Sequence, residues 1–462
     1  MQTRWAAAIA FGAVLAGCQV LDPYNMIGRQ FGENTPLPTE FVPSGGPERL
    51  DRAARIRAFD AVWGTIEKRY HDPNYNGVDW KAVGARYRPL ALDAPDDAAF
   101  WDVLDRMTGE LHDSHTRVES PRQVQLRRSD EAITLGFVFA PIAGKLAVTS
   151  VDPESDAWWA GLRPGMLVAA IGGEPAPAAY AKLLAATRSA STDRARHFNV
   201  IRKLMNGPER SKVAFTFERA DGSRFDALLA RRVVPRRHRE MHRVLPSGYG
   251  YLRFTQWTIG LTMSAIAGIE QLKSTPGLVI DLRGNPGGSV YAVNTMLEKF
   301  FTEPTQLGRT TTRSGHPVSL LLGTVDIIKL ERDVPGDPNA YRAPVVILVD
   351  GLSASGSELF AGTMQATGRA KVVGEPSCGC LLGFLGYARI PGGGELAYSE
   401  VGFVLPNGKH VEGEGVIPDR IVAHTLEDLR MSRDRALEEA QALLATMKPP
   451  AAAQSGTQAT TR

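Results

Sequence analysis

The sequence predicts a multidomain chain of mixed α+β and α/β class. It has an N-terminal helical domain, a β-rich middle domain and an α/β core with a mostly parallel sheet. Three observations predict this. The chain has 462 residues, more than the roughly 100–200 of a typical domain. Its hydrophobic periodicity changes character twice along its length. In the last part, short apolar strands alternate with helical patterns, as strands buried on both faces do when helices cover them.

The elements follow in chain order. Arg4 precedes an apolar stretch from Trp5 to Leu15, and Leu15-Ala16-Gly17-Cys18 follows. A charged start, a short apolar run and small residues before a cut are expected of a signal peptide over residues 1–17. The run is shorter than the ~20 apolar residues of a spanning helix. Residues 18–45 are rich in Pro, Gly and Asn without periodicity and read as a tether. Residues 46–127 form the helical domain. Ala58, Val62, Ile66 and Tyr70 recur at one-turn spacing, His71-Asp72-Pro73-Asn74 breaks that helix, and a second begins near Asp96 with Phe100, Val103, Leu104 and Met107 on one side. Residues 128–235 turn to strands. Leu146-Ala-Val-Thr-Ser-Val151 is one and Leu167-Val-Ala-Ala-Ile171 another, while Val213-Ala-Phe-Thr-Phe217 and Phe225-Asp-Ala-Leu-Leu229 flank the hairpin signal Asp221-Gly222. Residues 236–447 form the α/β core. Its strands are Tyr249-Gly-Tyr-Leu-Arg-Phe254, Leu278-Val-Ile-Asp-Leu282, Val345-Val-Ile-Leu-Val349 and Lys371-Val-Val373, with helices over 261–273, 290–300 and 356–367. Residues 448–462, rich in Pro, Ala, Gln and Thr, read as a disordered tail.

Composition excludes several classes. A net charge of +3 is small for this length, and a nucleic-acid partner would require a clustered basic face. The one basic run, Arg231 to Arg239, reads as a solvated connector. Three cysteines make no disulfide framework of the small secreted kind. No ligand-spaced cluster of His, Cys, Asp and Glu predicts a metal. Gly284-x-x-Gly287 lacks the lysine of a phosphate-binding loop. No cofactor is expected.

The chemistry concentrates at two strand-to-helix turns. In Val345-Val-Ile-Leu-Val-Asp-Gly-Leu-Ser-Ala-Ser355-Gly356-Ser357-Glu358, a buried strand gives way to small residues and then to a helix. Such a turn lifts a serine hydroxyl off the sheet edge and aims the free N–H groups of the first helical turn at whatever the serine attacks. Ser355-x-x-Glu358 is equally a capping box. Asp281-Leu-Arg-Gly284-Asn285-Pro286-Gly287-Gly288 ends another strand, and its paired glycines allow a second backbone N–H to approach a ligand. Two such turns at carboxyl ends of strands form one crevice. A serine requires a base. His115, in Leu111-His112-Asp113-Ser114-His115-Thr116, is the first candidate and His410 its rival, with Glu412 or Glu414 to orient the base.

Together these segments resemble the tail-specific, or carboxyl-terminal-processing, serine peptidase family over roughly residues 55–425. The glycine motif at 281–288, Ser353-Ala-Ser355-Gly-Ser-Glu358 with Val372-Val-Gly-Glu375-Pro376, and Gly415-Val-Ile-Pro-Asp419 carry the resemblance. Leu135-Gly136-Phe137 and Ala160-Gly-Leu-Arg-Pro-Gly165 resemble a peptide-binding PDZ domain. The resemblance implies Ser355 as nucleophile and the amides of Gly356 and of Gly287 or Gly288 as oxyanion donors. It implies Leu135, Gly136 and Phe137 as the loop that captures a peptide terminus. The lysine of the family's serine–lysine dyad falls on Cys380, and its assisting glutamine on Phe384. A second branch, like the tricorn protease core, uses a histidine ahead of the PDZ domain, a neighbouring serine and a late glutamate. His115, Ser114 and Glu412 match that pattern. Cys378 and Cys380 read as small buried residues, or alternatively as a redox pair or a cysteine assisting Ser355.

Cysteine after Leu-Ala-Gly resembles the bacterial lipobox, which implies lipidation of Cys18. Gln19, rather than an acidic residue, resembles the outer-membrane sorting pattern. The expectation is a periplasm-facing lipoprotein in a Gram-negative envelope, held at the membrane by Cys18. Its expected activity is serine endopeptidase, cleaving proteins or peptides chosen by C-terminal or extended segments. The alternatives are an inactive fold that binds protein tails, and a binder of small hydrophobic ligands. The oligomeric state is not predicted.

Overall fold

The structure, a computed structural model, describes residues 49–205, 207–320 and 325–447. The signal peptide expected over 1–17, Cys18 with the tether to residue 45, and the tail 448–462 lie outside the described residues.

Helices α1 (Arg52–Arg69), α2 (Trp80–Leu92) and α3 (Asp97–Gly109) come first. Each starts from an aspartate, Asp51, Asp79 or Asp96, whose carboxylate accepts an amide of the first turn. Ala58, Phe59, Val62 and Ile66 form the buried side of α1. The sequence reading has no helix at α2, because Gly84 and Pro89 interrupt its pattern. Gly84 has a packing reason. A Cβ there would lie 2.3 Å from Trp63 Nε1, so only glycine lets α2 pack this close to α1. Strand β1 (Arg117–Glu119) and α4 (Pro121–Arg128) follow. The core of this layer also takes Ile390, Leu396 and Tyr398 from far along the chain.

The middle region contains β2 (Glu131–Thr134), β3 (Phe137–Ile142), β4 (Lys145–Val151), α5 (Asp156–Trp159), β5 (Leu167–Ile171), β6 (Glu174–Pro175), α6 (Ala176–Ala185), α7 (Asp193–Met205), β7 (Lys212–Glu218), β8 (Arg224–Ala230) and β9 (Arg232–Pro235). Its sheet runs β3-β4-β5-β7-β8, all antiparallel, with β6 on β5. Phe137, Phe139, Phe215 and Phe217 fill its core. The sequence reading missed α6 and α7. The polar segment 187–192 that joins them leaves this region and packs against the other two.

The remaining chain builds the core. A six-stranded sheet has the order β10-β11-β12-β17-β18-β23, where β10 is Glu240–Val244, β11 Gly250–Phe254, β12 Leu278–Asp281, β17 Val345–Val349, β18 Lys371–Gly374 and β23 Arg420–Ile421. All its pairs are parallel except β10 with β11. Helices α8 (Ile259–Gln271), α9 (Val290–Glu298) and α10 (Gly356–Ala366) cover one face. After α11 (Leu426–Arg430), α12 (Arg435–Thr446) covers the other. Strand β17 shows the division: Val345, Ile347 and Val349 pack with the first group, and Val346 and Leu348 with α12. A strand apolar at every position is therefore buried twice.

A second, antiparallel sheet runs β16-β13-β22-β19, with β13 at Thr305–Thr312, β16 at Glu331–Val334, β19 at Leu382–Gly383 and β22 at Val401–Val404. Strands β14 (Val318–Leu320) and β15 (Val325–Ile328) pair with each other. Strands β20 (Ala388–Arg389) and β21 (Glu395–Ala397) extend to β1, with Val118 opposite Leu396. That pairing ties the N-terminal helices to the core, and it places the loop after α3 beside the carboxyl ends of β12 and β17.

Candidate active site

The turn between β17 and α10 places Ser355 at the helix start with φ 53° and ψ −114°. A non-glycine residue held there is strained, by on the order of 1–3 kcal/mol. Surrounding bonds hold it in place. Its amide donates to Cys380 O at 3.0 Å and to Glu358 Oε2 at 2.9 Å. Ser353 Oγ donates to Leu282 O, and Ala354 N to Asn285 O. The strained backbone turns the half-buried Ser355 hydroxyl away from its own helix.

Asn285 joins this turn to the glycine motif. Its side-chain amide donates to Phe254 O, and its carbonyl accepts the Ser357 hydroxyl. Its Oδ1 accepts the Gly287 amide at 3.0 Å. This corrects one expectation: the Gly287 N–H is already taken by a side chain. Among the described residues, no partner is recorded for the amides of Gly288 and Gly356. These two lie together, because a Cβ on Gly356 would sit 3.3 Å from Gly288 N. Gly288 has φ +145°, and a Cβ there would meet Trp257 O at 2.4 Å. Only glycine brings this amide beside the helix start.

His115 arrives from the loop after α3. Its Nε2 lies 3.1 Å from Ser355 Oγ, across 240 residues of sequence. The ring is buried, and Phe384 lies beside it with centroids 6.3 Å apart. Burial pushes the imidazole pKa down to about 4. Asp113 opposes the shift, and Arg117 and Arg188 add to it. The base is therefore neutral at ordinary pH. Asp113, fully buried, accepts the His115 amide and the hydroxyls of Thr116 and Ser399. Burial works against its charge, but His115 and these donors outweigh burial and hold it below the usual carboxylate range.

The structure does not bring Ser114 or Glu412 onto the imidazole. His115 Nδ1 and Glu412 Oε1 are each buried without a hydrogen-bond partner. The other Glu412 oxygen accepts the Leu381 amide. Burial raises the Glu412 carboxyl well above its usual range, Asp113 adds to this, and the hydrogen bond from Leu381 counters it. Ser114 faces Ser191, with hydroxyls 3.0 Å apart and each amide donating to the other's hydroxyl. Ser191 thus holds Ser114 from the middle region. No local signal marked it, since it is one serine in a polar linker.

Glu358 does more than cap a helix. Its fully buried carboxylate accepts Ser377 Oγ and the amides of Ser355, Gly379 and Cys380. Burial pushes its pKa up to about 7 against the pull of these donors. Cys378 and Cys380 are joined in a disulfide. The Cys380 carbonyl accepts the Ser355 amide and its sulfur is held in the disulfide, so the position matched to the family lysine carries no base.

The other candidates lie elsewhere. His410 and Glu414 are exposed. Leu135 and Phe137 are buried in the middle region's core, and the Gly136 amide donates to Thr134 Oγ1. Among the described residues, no group of three or more His, Cys, Asp or Glu side chains could hold a metal ion. No described helix is long and apolar enough to cross a membrane.

Residues 248–422 match Peptidase family S41. Residues 51–109 match the tricorn protease C1 domain. The chain is 27% identical over 423 residues to tricorn protease homolog 2 of Streptomyces coelicolor, covering 87% of this chain and 33% of that protein. It thus spans about a third of the length of that relative. It is 25% identical to the carboxyl-terminal-processing protease of Picosynechococcus sp., covering 78% of this chain and 81% of that one. Among solved structures, mature CPAF superposes with a TM-score of 0.65 at 16% identity, covering 85% of this chain and 98% of that chain. The photosystem II D1 C-terminal processing protease gives 0.53 at 21% identity, with coverage of 85% and 98%. The enzyme class that these matches support is serine-type peptidase.

Proposed function

We propose that this protein is a serine endopeptidase that attacks peptide bonds with Ser355 and takes the hydroxyl proton with His115. The observation that carries this reading is the 3.1 Å approach of His115 Nε2 to Ser355 Oγ at a strained helix start. As Oγ adds to the carbonyl carbon, the neutral imidazole accepts its proton at Nε2. The carbonyl oxygen becomes an oxyanion, for which the amides of Gly356 and Gly288 are the donors. On collapse, the imidazolium gives its proton to the leaving amine and an acyl-enzyme forms. Water then repeats the cycle, with His115 again as base. Glu412 steadies the proton relay from the side of Ser114.

The middle region is proposed to act as a PDZ-type substrate selector, choosing proteins or peptides by C-terminal or extended segments. Supporting this, among the described residues β3 pairs with β4 alone and leaves an edge to which an extended chain could add. His197 Nε2 bonds Phe139 O on that strand at 3.0 Å, so an added strand competes with that contact. The protein is further proposed to work outside the cytoplasm, periplasm-facing and anchored at the outer membrane through lipidated Cys18. The Cys378–Cys380 disulfide suits an oxidising compartment.

The test uses an unfolded protein as substrate and a fluorophosphonate probe. Wild type is expected to cleave the substrate and take the label at one serine, and Ser355→Ala to do neither. Cleavage that survives in Ser355→Ala would overturn the proposal. Absence of both activities in wild type would leave a tail-binding scaffold as the better reading.

A further inference from the structure

The base and the nucleophile belong to segments 240 residues apart in sequence. Something must hold them in one frame, and the segment between α6 and α7 contacts both sides. On the base side, Arg188, itself buried, donates to the carbonyls of Ser114 and Thr116 at 2.9 and 2.8 Å. Ser189 Oγ lies 2.7 Å from His112 Nδ1. Ser191 and Ser114 exchange both amide-to-hydroxyl bonds. On the nucleophile side, the Thr192 hydroxyl donates to Cys378 O. Arg194 donates to Ser377 O and Glu414 O, on either side of the loops that surround Glu358. Glycine marks these contacts: a Cβ on Gly379 would lie 2.5 Å from Thr192 Cγ2, and one on Gly415 3.1 Å from an Arg194 terminal nitrogen.

We infer that Ser191 is a positioning residue for the hydrolytic reaction, holding the Ser114–His115 pair from within the middle region. The inference rests on the proposed Ser355–His115 mechanism. Each hydroxyl has one proton to donate. That of Ser191 is donated to Ser114 Oγ, 3.0 Å away. With the two amide-to-hydroxyl bonds, Ser114 is held by both its main chain and its side chain. Ser114 directly precedes His115, so this order fixes the backbone from which the imidazole projects. The catalytic site is thereby completed by a side chain from outside the helical layer and the α/β core. Removing the Ser191 hydroxyl should loosen the imidazole without touching the substrate.

The experiment compares Ser191→Ala and Ser191→Thr in the full-length chain. Steady-state cleavage of a peptide substrate gives kcat and KM, and the rate of fluorophosphonate labelling gives the reactivity of Ser355. Ser191→Ala is expected to lower kcat and the labelling rate on the order of tenfold, the scale of a small misplacement of a catalytic group, with KM within about twofold. Ser191→Thr keeps the hydroxyl and is expected to recover most of both rates. A thermal melt of each variant separates this from unfolding. Wild-type kcat in Ser191→Ala, or equal losses in the Ala and Thr variants, would overturn the inference, as would a change confined to KM. Ser355→Ala serves as the control: if it still cleaves, the mechanism itself fails, whatever Ser191 does.

Discussion

The burial of His115 makes a quantitative prediction about acid tolerance. An imidazole in water titrates near 6.5, whereas burial pushes this one down to about 4, with Asp113 opposing and Arg117 and Arg188 reinforcing the shift. At pH 5.5 a group with pKa about 4 is roughly 97% neutral, and one with pKa about 6.5 is roughly 9% neutral, about a tenfold difference in active base. The acid limb of kcat/KM reports this group in the free enzyme. The assay is peptide hydrolysis at low substrate between pH 3.5 and 8, in wild type and in Glu412→Gln, which removes the neighbouring carboxyl from the profile. The account expects Glu412→Gln to hold its activity down to about pH 5. The same shift has a stability consequence. The unfolded imidazole takes a proton as pH falls below 6.5, while the folded one resists until about 4. The native state therefore loses stability as pH falls through that window, by about 3 kcal/mol in all, and loses none above it. Glu358, raised to about 7, acts in the opposite direction. The His115→Gln variant isolates the histidine: its stability difference from wild type should change by about 3 kcal/mol between pH 7 and 4. An acid limb near 6.5 in Glu412→Gln, with the protein still folded by tryptophan fluorescence, would refute this reasoning.

Three further outcomes follow. Gly288→Ala places a Cβ 2.4 Å from Trp257 O at φ +145°, so its backbone must move and its amide leave the oxyanion position; kcat should fall roughly a hundredfold, and an unchanged kcat would count against this donor. Glu358→Gln turns a donor toward amides that need an acceptor and should cost at least about 2 kcal/mol, read as a lower midpoint in urea. Cys380→Ala removes a sulfur held in the disulfide with Cys378 and keeps the carbonyl that accepts the Ser355 amide, so peptide hydrolysis should stay within about threefold of wild type; abolished hydrolysis in a folded variant would assign Cys380 a chemical role.

Much of this site was legible because its signals are local. A buried strand followed by Ser-Ala-Ser-Gly-Ser-Glu, and another followed by paired glycines, announce two helix starts at one sheet edge, and both turns are found there. His115 could be picked out as a candidate, but only β1–β21 pairing shows how it reaches Ser355. What stayed hidden depends on long-range contacts. Ser191 meets Ser114 across 77 residues, and a serine in a polar linker has no periodicity to mark it. Glu358 reads as a helix cap because its second set of donors, at 377–380, is visible only in the fold. The Gly287 amide was indistinguishable from that of Gly288 until Asn285 was seen to take it. Helix α2 was masked by Gly84, a residue chosen for proximity to Trp63 rather than for helix formation.

The central claim is that His115 is the proton acceptor for Ser355. It is tested most directly by the second-order rate of fluorophosphonate labelling at Ser355 in wild type, His115→Ala and Cys380→Ala at neutral pH. The account predicts a loss of 10²–10⁴-fold in the histidine variant and a near-normal rate in the cysteine variant. Labelling that survives without His115 and disappears without Cys380 would contradict it.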